Sequence, residues 1–524
     1  MKYAFLWIIL LSSFSCHKEK EAPADQADNS NSVNTVIPFK NYLGVNLFEW
    51  DYVEPQQENL ISERKMQIVK AFGSIRHYLD WERIEPDQGK FTFNPSHFGN
   101  WRYDLMYNRT HKENIDILTC LKTIPSWLMN TYPENERDYE NAPLPFGADK
   151  SDPASYILQA KAAFQFAARY GANANVDKNL IQLNTGLRWP GDEPNIIQTG
   201  LNLVKYLECD NERDKWWKGS QAEQSPEEYA ANLSAFYDGH KGKLGKNVGV
   251  KNADPAMKVV MAGLAVPNID YVIKMIEWCR KNRGLKPDGT VDLCFDVINY
   301  HIYPNDSDYS KNSIATVGVA PELSPIGKIA DDFLNMSKKY ANGLEVWMTE
   351  TGYDIGEKSR QRAVPVGNKS ALITQADWNL RTALLYARHQ INRVMFYMLD
   401  DVDDNNAIQH HSSGFVNPDF TPRPSWYYMQ QVKTILGNYH YTKTLNNDPI
   451  VDLYKFSNKE IYVLTIPDQK DRKTSYILDL GNAKQAVIYN LQTNNDKANA
   501  ITVNTNNGKL TVTVSETPVF VEKL

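Results

Sequence analysis

The chain is poor in cysteine, with five in 524 residues and no C-x-x-C pair. Cys16 stands apart near the N-terminus. The other four, Cys120, Cys209, Cys279 and Cys294, make neither a disulfide framework nor a zinc site. They read as buried thiols, three in apolar strand-like runs and Cys279 in a helix-like one. There is no basic surplus: 57 Lys and Arg face 63 Asp and Glu, a net charge of -6. That argues against a nucleic-acid binder, which shows an excess of positive charge. Beyond the first dozen residues no apolar run is long enough to cross a bilayer. No phosphate loop, G-x-G-x-x-G or Ser-His-Asp arrangement is identifiable, so no cofactor is expected. His410-His411 is a lone pair without further ligands in register, and no metal site is expected there. What the chain does have is aromatic surface, with 12 Trp and 29 Tyr. Such side chains fill cores, and their flat faces also stack on sugar rings. A hydrophobic share of 42% against 23% charged residues is enough for a large core.

Lys2 precedes a short apolar run, Tyr3 to Leu11, followed by small residues up to Cys16. The run fits the apolar region of a secretory signal rather than a membrane span. With Ser15 before Cys16, residues 1–16 resemble a relaxed bacterial lipoprotein signal, with Ser13 and Phe14 departing from the usual pattern. Cys16 is then the expected lipidation site. Residues 17–38 are polar, charged and aperiodic, like a disordered tether.

From about residue 40, apolar runs alternate with amphipathic stretches. The runs lie at 42–48, 74–79, 115–121, 203–209, 258–265, 294–303, 344–350 and 393–399. Helix-like segments such as ASYILQAKAAFQFAARYG and TQADWNLRTALLYARHQ sit between them. Strands alternating with helices imply βαβ units and a parallel sheet. Eight units predict a closed (β/α)8 barrel over residues 39–436, with long loops around 128–154, 171–202 and 304–325. From 437 to 524 the pattern changes to about seven short strands with turn residues between them. That predicts a small all-β sandwich.

In such barrels the chemistry sits at the carboxyl ends of the strands. Two carboxylates close apolar strands there, Glu212 after strand four and Glu350 after strand seven. Those two strands face each other across a barrel mouth. Glycoside hydrolysis needs such a pair: one carboxyl protonates the leaving oxygen, the other attacks the anomeric carbon or activates water. Glu193, in GDEPN, is a competitor. It lies too few residues before Glu212 for another βα unit, and Asp192 stands where an amide donor is wanted. Trp127, Trp216 and Trp217 follow strands three and four and are candidate sugar platforms. The acidic run Asp400, Asp401, Asp403, Asp404 lacks calcium-loop spacing and reads as cleft rim or sugar contacts.

These phrases resemble glycoside hydrolase clan A, the (β/α)8 retaining glycosidases. Asn211-Glu212 matches the clan's Asn-Glu after strand four, which implies Glu212 as acid/base. Glu350 in MTETGY matches its strand-seven nucleophile. WERIEPDQGKFTF looks like the clan's strand-two phrase, and Arg76 like an Arg often found near the nucleophile. His301 and Tyr303 match a frequent strand-six His-x-Tyr. SSGFVNPDFTPRPSWYYM looks like the segment entering the last barrel helix. Two residues depart from the pattern: Arg213 where Pro is usual, and Phe396 and Tyr397 where strand eight usually offers a Trp floor.

The expected activity is retaining hydrolysis of a β-glycosidic bond in a polysaccharide or oligosaccharide. Asn211, Arg76, His301, Tyr303, Trp127, Trp216 and Trp217 are the expected substrate-site residues. Retention and the β preference come from the resemblance. Two alternatives stay open, an inactive carbohydrate-binding lipoprotein on the same fold and a transglycosylase. The expected partner is the saccharide, with no nucleic acid and with membrane contact only through the N-terminal lipid. The expected location is the cell envelope, at the outer membrane or cell surface, or otherwise secreted or periplasmic.

Overall fold

The structure is a computed structural model. It describes residues 37–57, 59–96, 101–187, 189–307, 314–402 and 408–524. The signal-like segment with Cys16, nearly all of the tether, and Asp403 and Asp404 lie outside the described residues.

Eight parallel strands close into a barrel in sequence order: β1 (Leu43–Leu47), β2 (Ser74–Asp80), β3 (Asp116–Lys122), β4 (Tyr206–Cys209), β5 (Lys258–Met261), β6 (Val297–His301), β7 (Glu345–Thr351) and β8 (Arg393–Phe396). Five fall inside their apolar runs, and β2, β3 and β7 each extend one residue past theirs. These strands are buried along almost their whole length, because helices cover the sheet outside and side chains fill it inside. Helices such as Ile157–Tyr170, Pro226–Asp238, Ile326–Tyr340 and Ala371–Arg388 return the chain between strands. The helix Pro226–Asp238 shows why its boundaries fall where they do. Ser225 and Glu228 form a capping box, Pro226 opens the first turn, and Gly239 ends it in the left-handed region at φ 64°.

Inside the barrel, alternate residues point inward and build layers. Leu118, Val260, Val297, Trp347 and Met395, with Tyr206, form an apolar layer near the amino ends. One pleat further along come Asn46, Arg76, Glu208, Asn299 and Thr349, all buried and all polar. The apolar layer is a plug and the polar layer above it is the floor of the site. Gly44 lets the wall close at β1, since a Cβ there would stand 2.5 Å from Ser74 Oγ and 2.6 Å from Met395 Cγ.

The C-terminal part is antiparallel, with eight strands: β9 (His440–Asn447), β10 (Ile450–Phe456), β11 (Lys459–Thr465), β12 (Thr474–Asp479), β13 (Gln485–Asn490), β14 (Asn499–Asn504), β15 (Lys509–Val514) and β16 (Val519–Lys523). Six form one sheet in the order β14-β13-β16-β11-β10-β9, and β12 pairs with β15. Strand β9 is one more than the sequence pattern suggested. Its side chains are half-buried or exposed, so it carries no apolar run.

The six-stranded sheet packs on both faces by strict alternation. Tyr454, Ile461, Val463 and Phe520 join the barrel core. Val451, Leu453, Tyr462, Leu464 and Val521 join Leu478, Leu510 and Val512 of the two-stranded sheet. The ion pair Arg388–Asp452, 2.9 Å, ties the sheet to the end of the helix Ala371–Arg388.

All four described cysteines are free and buried. Cys294 lies in the loop before β6 rather than in a strand, with its Sγ 3.4 Å from that of Cys279. Among the described residues no helix is long and apolar enough to cross a membrane.

Candidate active site

Glu350 is positioned by a break in the pleat of β7. The register with β6 pairs Asn299 with Trp347 and Tyr300 with Met348, then skips Thr349 to pair His301 with Glu350. A second shift follows against β8. The extra residue is a bulge, and it brings both Thr349 and Glu350 to the barrel interior. Glu350 Oε1 accepts from Arg76 Nη1 at 2.6 Å and from the Tyr78 hydroxyl, and Oε2 accepts from the Tyr303 hydroxyl at 3.0 Å. Burial alone would raise this carboxyl. The His301 ring when charged, the Arg76 guanidinium and the hydrogen bonds from Tyr78 and Arg76 outweigh it and hold Glu350 well below the usual carboxylate range.

Arg76 is fully buried between two carboxylates. Its Nε and Nη2 grip Glu208 at 2.6 and 3.0 Å while Nη1 reaches Glu350. Asn46 Oδ1 accepts from Nη1 at 3.1 Å and Asn211 Oδ1 from Nη2 at 2.8 Å. A buried guanidinium needs this degree of pairing to repay its desolvation. Burial pushes the hydroxyls of Tyr78 and Tyr303 well up, and the Glu350 charge adds to it, so both stay protonated donors.

Glu212 sits where the chain leaves β4 in an irregular conformation, with φ of 70° at Asp210 and 48° at Glu212. Arg213, the departure from the clan pattern, is fully buried beneath this turn. It pairs with Asp210 Oδ2 at 3.3 Å and donates from Nε to Gln224 Oε1 at 2.7 Å. The turn is thus locked from below by a side chain that proline cannot supply. Glu212 Oε1 stands 2.9 Å from His301 Nδ1, and its side chain keeps 20% exposure against 8% for Glu350. One carboxylate oxygen each of Glu212 and Glu350 and a ring nitrogen of His301 all lie within 4.8 Å of one another.

The protons of this chain can be counted. His301 Nε2 lies 3.0 Å from Thr349 Oγ1, and Thr349 Oγ1 lies 3.0 Å from Asn299 Oδ1. Asn299 Nδ2 already donates to Glu208 Oε1, and also to Thr349 Oγ1. The single Thr349 hydrogen satisfies buried Asn299 Oδ1 only if His301 Nε2 donates to Thr349. At Nδ1 a neutral His301 accepts from a protonated Glu212, and a charged His301 donates to an ionised Glu212. The hydrogen bonds are therefore complete when one proton is shared between His301 Nδ1 and Glu212 Oε1, whichever of the two carries it.

Tyr397, at the end of β8, is half-buried at the mouth, with its ring 6.3 Å from Tyr78 in an edge contact. Phe396 points the other way and packs on Phe415 in the core. His410 stands edge-on to Tyr303 and Tyr397, at 4.8 and 6.2 Å. Asp401 is taken up by Arg423 at 2.6 Å and by the Gly414 N–H at 2.7 Å, a loop-fixing role. Trp127 is half-buried, donates from Nε1 to the Glu85 carbonyl at 2.9 Å and meets Trp81 edge-on, so it joins the loops after β2 and β3. Trp216 and Trp217 are exposed on the loop after β4, edge to face at 4.9 Å. Glu193 lies apart from this cluster, exposed and 3.3 Å from Arg102.

Sequence reasoning missed Tyr78, Glu208, Asn299 and Thr349. The first two carried a signal. Tyr78 is two residues from Arg76 in one strand, hence on the same face. Glu208 is a lone acid inside an apolar strand covered on both sides, which requires a buried cation.

Residues 51–177 match the glycoside hydrolase 42 family model, described as beta-galactosidase. Among curated proteins none matches in sequence. The fold is similar to that of a family 39 glycoside hydrolase from the gut symbiont Bacteroides cellulosilyticus WH2, at TM-score 0.60 and 18% identity over 93% of this chain and 81% of that one. It is also similar to a GH30 endoxylanase from Clostridium papyrosolvens C71, at TM-score 0.52 and 12% identity over 93% and 97%. A GH51 arabinofuranosidase from Xanthomonas axonopodis pv. citri aligns at TM-score 0.54 and 11% identity over 94% and 98%. Part of the chain thus matches a glycoside hydrolase family model, and the whole has a barrel-plus-sheet fold similar to that of these glycoside hydrolases.

Proposed function

We propose that this glycoside hydrolase cleaves β-glycosidic bonds within a polysaccharide or oligosaccharide with retention, through a glycosyl-enzyme on Glu350. The observation that carries the reading is the approach of Glu212 and Glu350 oxygens to within 4.8 Å. Retaining enzymes hold their carboxyls about 5–5.5 Å apart, whereas inverting ones leave about 6.5–9.5 Å for a water.

Glu212, protonated against His301, donates to the leaving oxygen while ionised Glu350 attacks the anomeric carbon. One C–O bond breaks, one forms, and the proton leaves with the aglycone. Glu212, now a base, takes a proton from water, which displaces Glu350. Arg76, Tyr78 and Tyr303 hold Glu350 ionised and aimed. Asn211 spends its Oδ1 on Arg76, which leaves Nδ2 for the sugar 2-hydroxyl. Trp216 and Trp217 stand on the Glu212 side, where the leaving part of the chain lies, and Trp127 serves the wall between the second and third loops.

The names of the similar proteins define the test panel: aryl xylosides, arabinofuranosides and galactosides with xylan, arabinan and galactan. Proton NMR of the first-formed product reads the stereochemistry. Retained configuration supports the reading; inversion, or no hydrolysis of any substrate, overturns it. We also propose that Cys16 is lipidated, which would put the enzyme at the cell envelope.

A further inference from the structure

The turn Glu49–Asp51 directly after β1 inverts the ordinary placement of side chains. Its two acids are fully buried, and Trp50 between them is 40% exposed. Each residue is tied. Glu49 Oε1 accepts from the Tyr103 hydroxyl at 2.7 Å and its other oxygen pairs with Arg83. Asp51 Oδ2 accepts from the Phe48 N–H at 2.8 Å, and Lys65 Nζ donates to the Trp50 carbonyl at 2.8 Å. Burying two carboxyls while leaving a large apolar ring in water runs against both solvation preferences. The bonds above leave the turn no freedom to reverse the arrangement.

The ring is also aligned with the site. Trp50 lies parallel on Phe48, centroids 4.4 Å apart and 8° between planes. Phe48 lies parallel to Tyr78 at 5.4 Å and 16°. The Tyr78 hydroxyl donates to Glu350. A column of three rings therefore runs outward from the nucleophile candidate. Phe48 covers the inner face of Trp50, which leaves the outer face for water or a ligand.

The direction of the column follows from the mechanism, and the argument rests on the proposed glycosidase reading. Glu212 protonates the leaving oxygen from the end of β4, so the leaving part lies over that side. The part of the chain that stays on Glu350 extends the opposite way, toward β8 and β1, where Trp50 stands. We propose that the outer face of Trp50 is a subsite for a sugar ring beyond the one being cleaved, on the non-reducing side of an oligosaccharide. Its ligand is a pyranose or furanose ring presenting a C–H face, and an enzyme with such a subsite favours chains over single-sugar glycosides.

The test compares 4-nitrophenyl glycosides carrying one and three sugar units, for the wild type, Trp50→Ala and Trp50→Phe. The ratio of kcat/KM for the three-unit over the one-unit substrate should fall about three- to tenfold in Trp50→Ala, the worth of one ring-stacking contact, and be partly restored in Trp50→Phe. An unchanged ratio overturns the subsite while leaving the glycosidase reading intact. Should the wild type turn over none of these glycosides, the glycosidase reading fails and binding decides the subsite separately. Electrophoresis through gels holding xylan, galactan or arabinan should then retard the wild type more than Trp50→Ala. Equal mobility in every gel overturns the subsite.

Discussion

Gly263, just past β5, lies so close under the His301 ring that a Cβ there would stand 1.9 Å from Nε2. Its N–H donates to Glu208 Oε1 at 3.2 Å. The missing side chain is what lets His301 reach Thr349 with one nitrogen and Glu212 with the other. Gly263→Ala should push the ring off Glu212 and lower kcat/KM about a hundredfold, the usual cost of a misplacement near 1 Å. Global stability should change far less. Steady-state kinetics beside a thermal melt checks this; wild-type turnover in a folded variant would count against His301 as the group that positions Glu212.

The two carboxylates should respond differently to azide. With an aryl glycoside whose leaving group departs without protonation, Glu212→Ala should spare glycosylation and slow deglycosylation by about 10²–10⁴-fold, for want of a base. Azide should restore turnover and give a β-glycosyl azide. Glu350→Ala should lose the covalent route, and azide should rescue it only to the inverted α-product. Product NMR decides, and swapped azides would exchange the two roles.

Tyr78→Phe removes one donor from ionised Glu350. A hydrogen bond to a charged group is worth about 1.5–3 kcal/mol, so kcat/KM at neutral pH should fall about 10–100-fold. Glu350 is held low in the wild type, so its ionised form persists deep into acid. With fewer donors its pKa rises, and the acid limb of kcat/KM should move to higher pH. A pH profile with an unmoved acid limb would refute the assignment of Tyr78 to Glu350.

Asp51 should make the protein less stable as pH rises. Burial first, opposed by the Phe48 N–H and joined by repulsion from Asp400, pushes its carboxyl up to about 8. The folded protein therefore holds a proton that the unfolded chain releases near its ordinary value of 3.8. Between those values the native state binds more protons, so stability falls with rising pH until about 8. Asp51→Asn should flatten this slope and gain about 1–3 kcal/mol at pH 8, with the gain vanishing toward pH 4. Chemical denaturation at a series of pH values measures it.

Cys16→Ala should move the protein from the membrane fraction to the soluble one. Stable anchoring takes more than one acyl chain, as a lipoprotein cysteine carries. Wild-type protein found only in the soluble fraction would point to plain secretion.

The barrel could be read from the chain because its cause is local and repeated. Eight apolar runs separated by amphipathic segments admit few folds besides a closed parallel sheet, and every strand lies within one residue of its run. Glu212 and Glu350 could be read because strand ends are where such a barrel presents side chains. The pleat of β7 could not be read. Strict alternation from Trp347 turns Thr349 inward and Glu350 outward, and only the bulge against β6 brings Glu350 inward as well. A bulge is decided by pairing with a neighbouring strand some fifty positions away, which leaves no local mark on the MTETGY sequence around it. Asn299 and Arg213 are likewise understood only once the structure supplies the partners they require, and for Glu208 the chain shows the need of a cation but not that Arg76 meets it. Burial and pairing are properties of the closed barrel, whereas hydrophobic period is a property of each segment alone.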